Sequence, residues 1–502
     1  MKRRDFLKRT GVAGLGATAP SLFGLPGASG PIGTASAMPL IDAVDYHVPT
    51  VLPQVINVFL YGGPSELAGN LTNLERIDET SQNPYPAGLR QRLSEGGQLT
   101  SNGFWASAGG NAMEEMLAAG DLSVYRTLNR RKHNTRAHRP SVFSSLKGSL
   151  DIDAAPGMGS TLAILLQAQR ARLDGSALLG GRQLTDLVLP FVSFEGSSTA
   201  FATDPDGDLP LPLKGLSLDQ RFDNPYSRGK DDHGNELERL VAQIVSDDDR
   251  RRFGGVIDGF DRRREMADLV GNLQQAAEMP LPMLPRRANG TLDPDVDPDT
   301  GYLRYPANNR FSARMKAAVT LAVNNADSLF ITVGGGLGGW DDHASAIEDY
   351  VPRMRQVMDA LRVATKHLRY ADRAHGGLRA TDNIAINVHG DFGRNVNLND
   401  AAGWDHGNNQ NLYTLAGAAL RPPGALGKVV GTTEVFGPAK QNRQYTRPAD
   451  GSYEAEPLAV ASSVYRWFGA RNPEVLTRDE EYNPDGDAAI DERVAGEAAM
   501  FG

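Results

Sequence analysis

The run Val55-Ile56-Asn57-Val58-Phe59-Leu60-Tyr61, stopped by Gly62-Gly63-Pro64, decides the fold. It is short and almost continuously apolar, whereas a strand with one wet face would alternate. Such a run belongs to a strand covered on both sides, as in a parallel sheet, and the Gly-Gly-Pro stop is a turn at its carboxyl end. Four further strands are expected downstream, at 122–128, 187–194, 328–333 and 384–388. Helical periodicity separates them at about 111–119, 160–170, 310–325 and 344–370, and recurs last at about 457–468. Strands alternating with helices predict an α/β fold, a mostly parallel central sheet with helices on both faces. Residues 235–277 are helical in period but rich in charge, and 279–306 hold six prolines, so a helical and loop insertion is expected at about 200–310.

Working outward to the start of the chain, Met1-Lys2-Arg3-Arg4-Asp5-Phe6-Leu7-Lys8 is a twin-arginine export pattern. A mildly apolar, Gly- and Ala-rich stretch follows and ends at Ala35-Ser36-Ala37, an A-x-A cleavage site. Residues 1–37 are therefore expected to be a signal peptide. Residues 38–502 are expected to form one domain, handed to the twin-arginine translocase already folded and delivered to the periplasm or secreted. No other run approaches the ~20 apolar residues of a membrane helix, so no span is expected in the mature chain.

Charge and composition exclude several functions. The chain carries −9, and five basic and one acidic residue in 1–37 leave −13 on the remainder. That argues against binding a phosphate backbone, so no nucleic-acid partner is expected. The absence of cysteine excludes disulfides, thiolate zinc sites and a cysteine nucleophile.

The polar residues collect after the strands, where sheets of this kind place their sites. After 328–333 comes Gly338-Gly339-Trp340-Asp341-Asp342-His343, and after 384–388 comes His389-Gly390-Asp391-Phe392-Gly393-Arg394. Gly403-Trp404-Asp405-His406-Gly407 lies shortly beyond, and His133-Asn134-Thr135-Arg136-Ala137-His138 follows 122–128. Five of the nine histidines fall in these four loops. Carboxylate and imidazole together suit a divalent ion, zinc or manganese before others. Each piece alone also has an ordinary structural reading: Asp341 or Asp342 as a helix cap, Asp391 with Arg394 as an ion pair, Asp405-His406-Gly407 as a turn.

As a set, in this order behind a twin-arginine signal and a "VFLYGGPS" first strand, these motifs resemble the exported domain-of-unknown-function family 1501 over most of residues 50–440. That family is grouped with the alkaline phosphatase–sulfatase superfamily. The resemblance implies an alkaline-phosphatase-like domain whose two metals sit at the carboxyl edge of the sheet. It implies that Asp341, His343 and His406 bind one metal and Asp391 the second, with His389 or Asp405 assisting. Arg394 would hold an anionic oxygen, and His133 and His138 would line the pocket as proton donors or extra ligands. The implied activity is metal-dependent hydrolysis of a small anionic substrate, a phosphate or sulfate ester. The alternative is a non-catalytic binding protein on the same scaffold.

The chain departs from the superfamily after the first strand, where no Asp stands in Gly62-Gly63-Pro64-Ser65-Glu66. Glu66 could substitute as the acidic ligand, and Ser65 or Thr72 could be the nucleophile. A formylglycine sulfatase of the cysteine form is excluded, and no Ser-x-Pro-x-Arg occurs. Three acidic runs, 204–208, 293–299 and 481–492, are possible calcium loops, or else solvated acidic turns.

Overall fold

The structure is a computed structural model. It describes residues 41–74, 98–132, 135–169, 183–203, 209, 213–223, 247–334, 339–374, 381–399, 401–436 and 444–478. The expected signal peptide at 1–37 and the acidic runs at 204–208 and 481–492 lie outside these residues.

In chain order the strands are β1 (Gln54–Leu60), β2 (Leu122–Asn129), β3 (Phe191–Ser193), β4 (Leu216–Ser217), β5 (Phe330–Gly334), β6 (Ile384–Gly390), β7 (Gly393–Arg394), β8 (His406–Gly407), β9 (Asn409–Ala416), β10 (Val429–Val430), β11 (Thr433–Phe436) and β12 (Tyr445–Pro448). The helices are α1 (Gly110–Ala118), α2 (His138–Lys147), α3 (Met158–Ala168), α4 (Asp247–Glu278), α5 (Arg310–Asn324), α6 (Ala346–Ala374), α7 (Ala459–Trp467) and the single turn α8 (Glu474–Thr477).

Eight strands form the main sheet in the order β10-β2-β9-β6-β1-β5-β3-β4. Every neighbouring pair is parallel except the two made by β9. The first strand is central, between β6 and β5, and all seven of its residues are buried. Its alternate side chains serve opposite faces. Ile56, Val58 and Leu60 join a core with residues of α1, α4, α5 and α6, while Val55 and Phe59 join one with residues of α2, α3 and α7. Each such Val, Ile or Leu stabilises the fold by about 1.5–3 kcal/mol on burial, which is why the run had to be apolar on both sides.

Three expectations change. The strand expected at 187–194 shrinks to β3, because Leu184–Asp186 is a 3-10 turn and Leu189 takes a left-handed backbone (φ 54) ahead of Pro190. The antiparallel β9 was not foreseen. Its sequence NQNLYTLA is buried at seven of eight positions, yet Asn409, Gln410, Asn411 and Thr414 break its apolar pattern. Helix α2 begins at His138, the last residue of a segment expected to be loop; it carries Pro140 in its first turn, a position that needs no N–H. The charged helix α4 also sends Val270 and Leu273 into the core. No helix among the described residues is long and apolar enough to cross a membrane.

Candidate metal centre

The carboxyl ends of β1, β2, β5 and β6 meet at one edge of the sheet, and tight backbone contacts draw their loops together. After β1, Gly62 (φ +111) lies so close to the loop after β5 that a Cβ would meet the nitrogens of Trp340 and Asp341 at 2.7 Å. Only glycine tolerates both that backbone and that approach. Gly393 is pressed as tightly, since a Cβ there would lie 1.5 Å from the carbonyl oxygen of Asn409. The short pair β7–β8 then sets Arg394 opposite His406. Two motifs 12 residues apart in sequence thus become cross-strand neighbours.

Four side chains converge: His138 at the start of α2, Asp341 and His343 after β5, and His406 on β8. One ligand atom from each lies within 4.8 Å of all the others. Oδ1 of Asp341 stands 3.2 Å from Nε2 of His138, 2.9 Å from Nε2 of His343 and 3.6 Å from Nε2 of His406. The Nε2 atoms of His343 and His406 are 3.0 Å apart. Ligands at ~2.0–2.1 Å around a tetrahedral zinc are separated by about 3.3 Å, so these spacings are those of a four-ligand shell.

The imidazoles are also turned the right way. Nδ1 of His138 lies 2.7 Å from Oδ2 of Asp391, and Nδ1 of His406 lies 2.5 Å from the carbonyl oxygen of Arg136. Nδ1 of His343 faces Oδ1 of Asp405 at 3.5 Å. When Nδ1–H donates outward, the Nε2 lone pair is left for an ion, the arrangement that orients metal-binding histidines. Phe392 packs against His138 and His406, with ring centroids 4.7 and 4.5 Å away. The outer side stays open, because Asp341 and His343 are each 45% exposed.

Burial opposes ionisation of Asp341, yet hydrogen bonds from His138, His406 and Arg394 hold it far below the usual carboxylate range. Burial likewise opposes charging His138, but Asp341 and Asp391 raise it to about 9. His343 is lowered, chiefly by burial and against the pull of Asp341. His138 thus lies between the carboxylates of Asp391 and Asp341.

Several residues sit elsewhere than the resemblance implied. Asp391 is fully buried, with Oδ1 accepting from the Gly62 N–H at 3.2 Å and Oδ2 on His138. It stands behind His138 and joins no group of three potential metal ligands among the described residues. Asp405 stands in the same way behind His343. His389 lies within the sheet on β6, 3.1 Å from Oδ1 of Asn57, and burial pushes its pKa down to about 3. Arg394 is buried and its donors are taken: by the carbonyls of Gly62, Gly63, Trp340 and Trp404, and by Asp341 Oδ1 at 2.8 Å. It fixes Asp341. Ser65 is buried as the cap of the 3-10 turn Glu66–Ala68, accepting from the Leu67 N–H. Glu66 is buried and accepts from the Thr446 hydroxyl, and the Thr72 hydroxyl donates to Asn70. Asp342 pairs with Arg353. His133 lies outside the described residues. Among the described residues one imidazole-bearing group is assembled, and not two.

In the acidic run at 293–299 the chain's own cations meet the carboxylates. Nζ of Lys366 lies 2.7 Å from Asp293, Asp295 and Glu115, and Arg362 grips Asp295 with two bonds of 2.7 Å. Asp297 caps its own turn through Thr300. The chain supplies the cations itself.

The chain belongs to the family described as "Protein of unknown function (DUF1501)", whose model matches residues 53–448, from the start of β1 to the end of β12. No curated protein matches it. Among solved structures, the crystal structure of Ps i-CgsB is 10% identical with a TM-score of 0.35, over 84% of this chain and 74% of that one. The phosphonate monoester hydrolase SpPMH from Silicibacter pomeroyi is 10% identical with a TM-score of 0.28, over 86% and 78%. The phosphonate monoester hydrolase of Agrobacterium radiobacter is 11% identical with a TM-score of 0.26, over 87% and 78%.

Proposed function

We propose that this protein is an exported, metal-dependent hydrolase of phosphate or sulfate esters with an alkaline-phosphatase-like architecture. The observation that carries the reading is the convergence of His138, Asp341, His343 and His406, three imidazoles and a carboxylate with their ligand atoms within 4.8 Å of one another. A zinc or manganese ion held there would supply Lewis-acid polarisation of an ester oxygen. Asp391, Asp405 and the Arg136 carbonyl hold the three rings in register, so little reorganisation is needed on binding. Arg394 keeps Asp341 ionised and fixed. The exposed side of Asp341 and His343 is where an ester would approach.

The test is metal analysis of the purified protein, then assay on aryl phosphate and aryl sulfate. The reading expects about one transition metal per chain and turnover that a chelator abolishes. Absence of both metal and turnover would overturn it. Export through the twin-arginine route to the periplasm belongs to the same proposal. Replacing Arg3 and Arg4 by lysine should leave the protein in the cytoplasm, and unchanged export would remove that part.

One set of observations favours a second reading, a metal-bearing binding protein without turnover. Ser65, one of the two nucleophile candidates, caps a 3-10 turn, and Arg394, the anion clamp the resemblance implied, donates to backbone carbonyls. Stoichiometric metal with no turnover on either ester would select it.

A further inference from the structure

A cavity of about 350 Å³ shares its wall with the metal centre. Four arginines line it, Arg130, Arg131, Arg136 and Arg447, together with Tyr445 and Phe436, and no acidic residue lines it among the described residues. In a chain of net charge −9 that is a local reversal of sign. Two of the arginines are already neutralised from outside the cavity: Arg131 by Glu454 and Arg447 by Glu434. The other two have no carboxylate within ion-pair distance among the described residues.

Arg130 is the more telling of them. It is 2% exposed, its terminal nitrogens donate to Ser144, Ser145 and the Asp391 carbonyl, and its Nε–H has no acceptor among the described residues. Glu456 and Asp391 act on it only from beyond ion-pair distance, so an anion at Nε would complete a guanidinium that is costly to bury. Arg136 is held ready. Its Cζ lies 4.3 Å from the Tyr445 ring centroid, its Nε donates to Asn408 at 3.0 Å, and its carbonyl receives His406. A guanidinium fixed on a ring face loses little freedom when it grips an oxyanion.

We infer that this cavity is a second anion subsite, which takes a phosphate or sulfate group carried on an organic molecule, so that the substrates of the neighbouring centre bear an anionic group besides the ester that reacts. A cavity of about 350 Å³ lies in the range that accepts an organic ligand rather than a bare ion. The placing of the reacting ester rests on the proposed function; the subsite itself does not.

The test is calorimetric titration of the chelator-treated full chain with glucose 6-phosphate, glucose and inorganic phosphate. Wild type should bind glucose 6-phosphate, bind glucose undetectably and bind inorganic phosphate at least tenfold more weakly than the ester. Arg136→Met should weaken the ester at least tenfold with its far-UV circular dichroism as in wild type, and Arg136→Lys should fall between. Unchanged affinity in Arg136→Met overturns the assignment. So does binding seen only in zinc-loaded protein, which would place the anion on the metal centre. Equal affinity for inorganic phosphate and the ester removes the organic ligand and leaves an adventitious ion only. These titrations need neither metal nor turnover, so failure of the hydrolase reading leaves their outcome intact.

Discussion

Two groups of acidic side chains in this protein look alike in sequence and differ in what neutralises them. At Asp293, Asp295 and Glu115 the counter-charge is built in, as the ammonium of Lys366 and the guanidinium of Arg362, both largely buried. Burial opposes the charge on Lys366, but its three carboxylates hold the ammonium above the ordinary lysine range. At Asp341 the neighbours are three imidazoles turned with Nε2 inward, and only Arg394 brings permanent charge. The first group is closed; the second has an open side and ligand atoms spaced for an ion. An acidic cluster therefore says nothing about metals until its cations have been counted.

The sharpest way to break this comparison is to remove one member from each group and measure bound metal. His343→Ala should lower zinc affinity by more than the ~100-fold that losing an orienting partner costs. Asp293→Asn should leave zinc content as in wild type. Metal retained in His343→Ala, or lost in Asp293→Asn, would reverse the assignment.

The next effect is on stability. Removing one partner from a buried ion pair costs about 3–5 kcal/mol, and Lys366→Met, near the lower figure because Glu115 is partly exposed, should cost about 3 kcal/mol in a denaturant titration. The variant leaves three carboxylates facing one another, so calcium should restore part of the loss, while wild-type stability should not respond to calcium or chelator. Calcium stabilisation of wild type would show that the closed group is a cation site after all.

A smaller effect separates ligands from the groups behind them. Asp391→Asn keeps an oxygen near His138 but removes the charge. Zinc affinity should fall about 10–100-fold, without the complete loss expected at His343. Loss as large as in His343→Ala would return Asp391 to the ligand shell.

Much of this was legible before any coordinates. The doubly apolar run at β1 announced a buried parallel strand, and Asp341, His343 and His406 were singled out by the loops they occupy, and the fold brings their side chains together. What failed to show was partnership. Asp391 looks like a ligand because it follows a strand, but which oxygen faces His138 and which faces the Gly62 amide is set by the fold of the Gly-Gly turn. Arg394 looks like an anion clamp until four carbonyls are seen to share it. Strand β9 hid because its polar residues take partners remote in sequence, as when Asn409 donates to the Arg126 carbonyl. One signal was present and unused. Arg130, Arg131, Lys132, Arg136 and Arg139 form a basic stretch in an acidic chain, and three of them line the cavity beside the metal centre.

A third carboxylate extends the comparison to the case with neither cation nor open side. Glu66 is fully buried behind the centre, accepts from the Thr446 hydroxyl and has no basic side chain in ion-pair contact among the described residues. Burial raises its pKa from 4.5 to about 7, against the pull of that hydroxyl and of nearby backbone N–H groups. A carboxyl raised on folding binds its proton more tightly in the native state. Its neutral form is compatible with the fold below about pH 4.5, and stability is lost as pH rises from there through 7, levelling off once the native group has also ionised. Glu66→Gln keeps the shape without the titration. Between pH 6 and 8, wild type should lose about 1 kcal/mol relative to the variant in denaturant titrations, with the variant the more stable at pH 8. Parallel pH profiles for the two proteins would show that Glu66 holds its charge in the folded state, and that a cation, protein or metal, faces it after all.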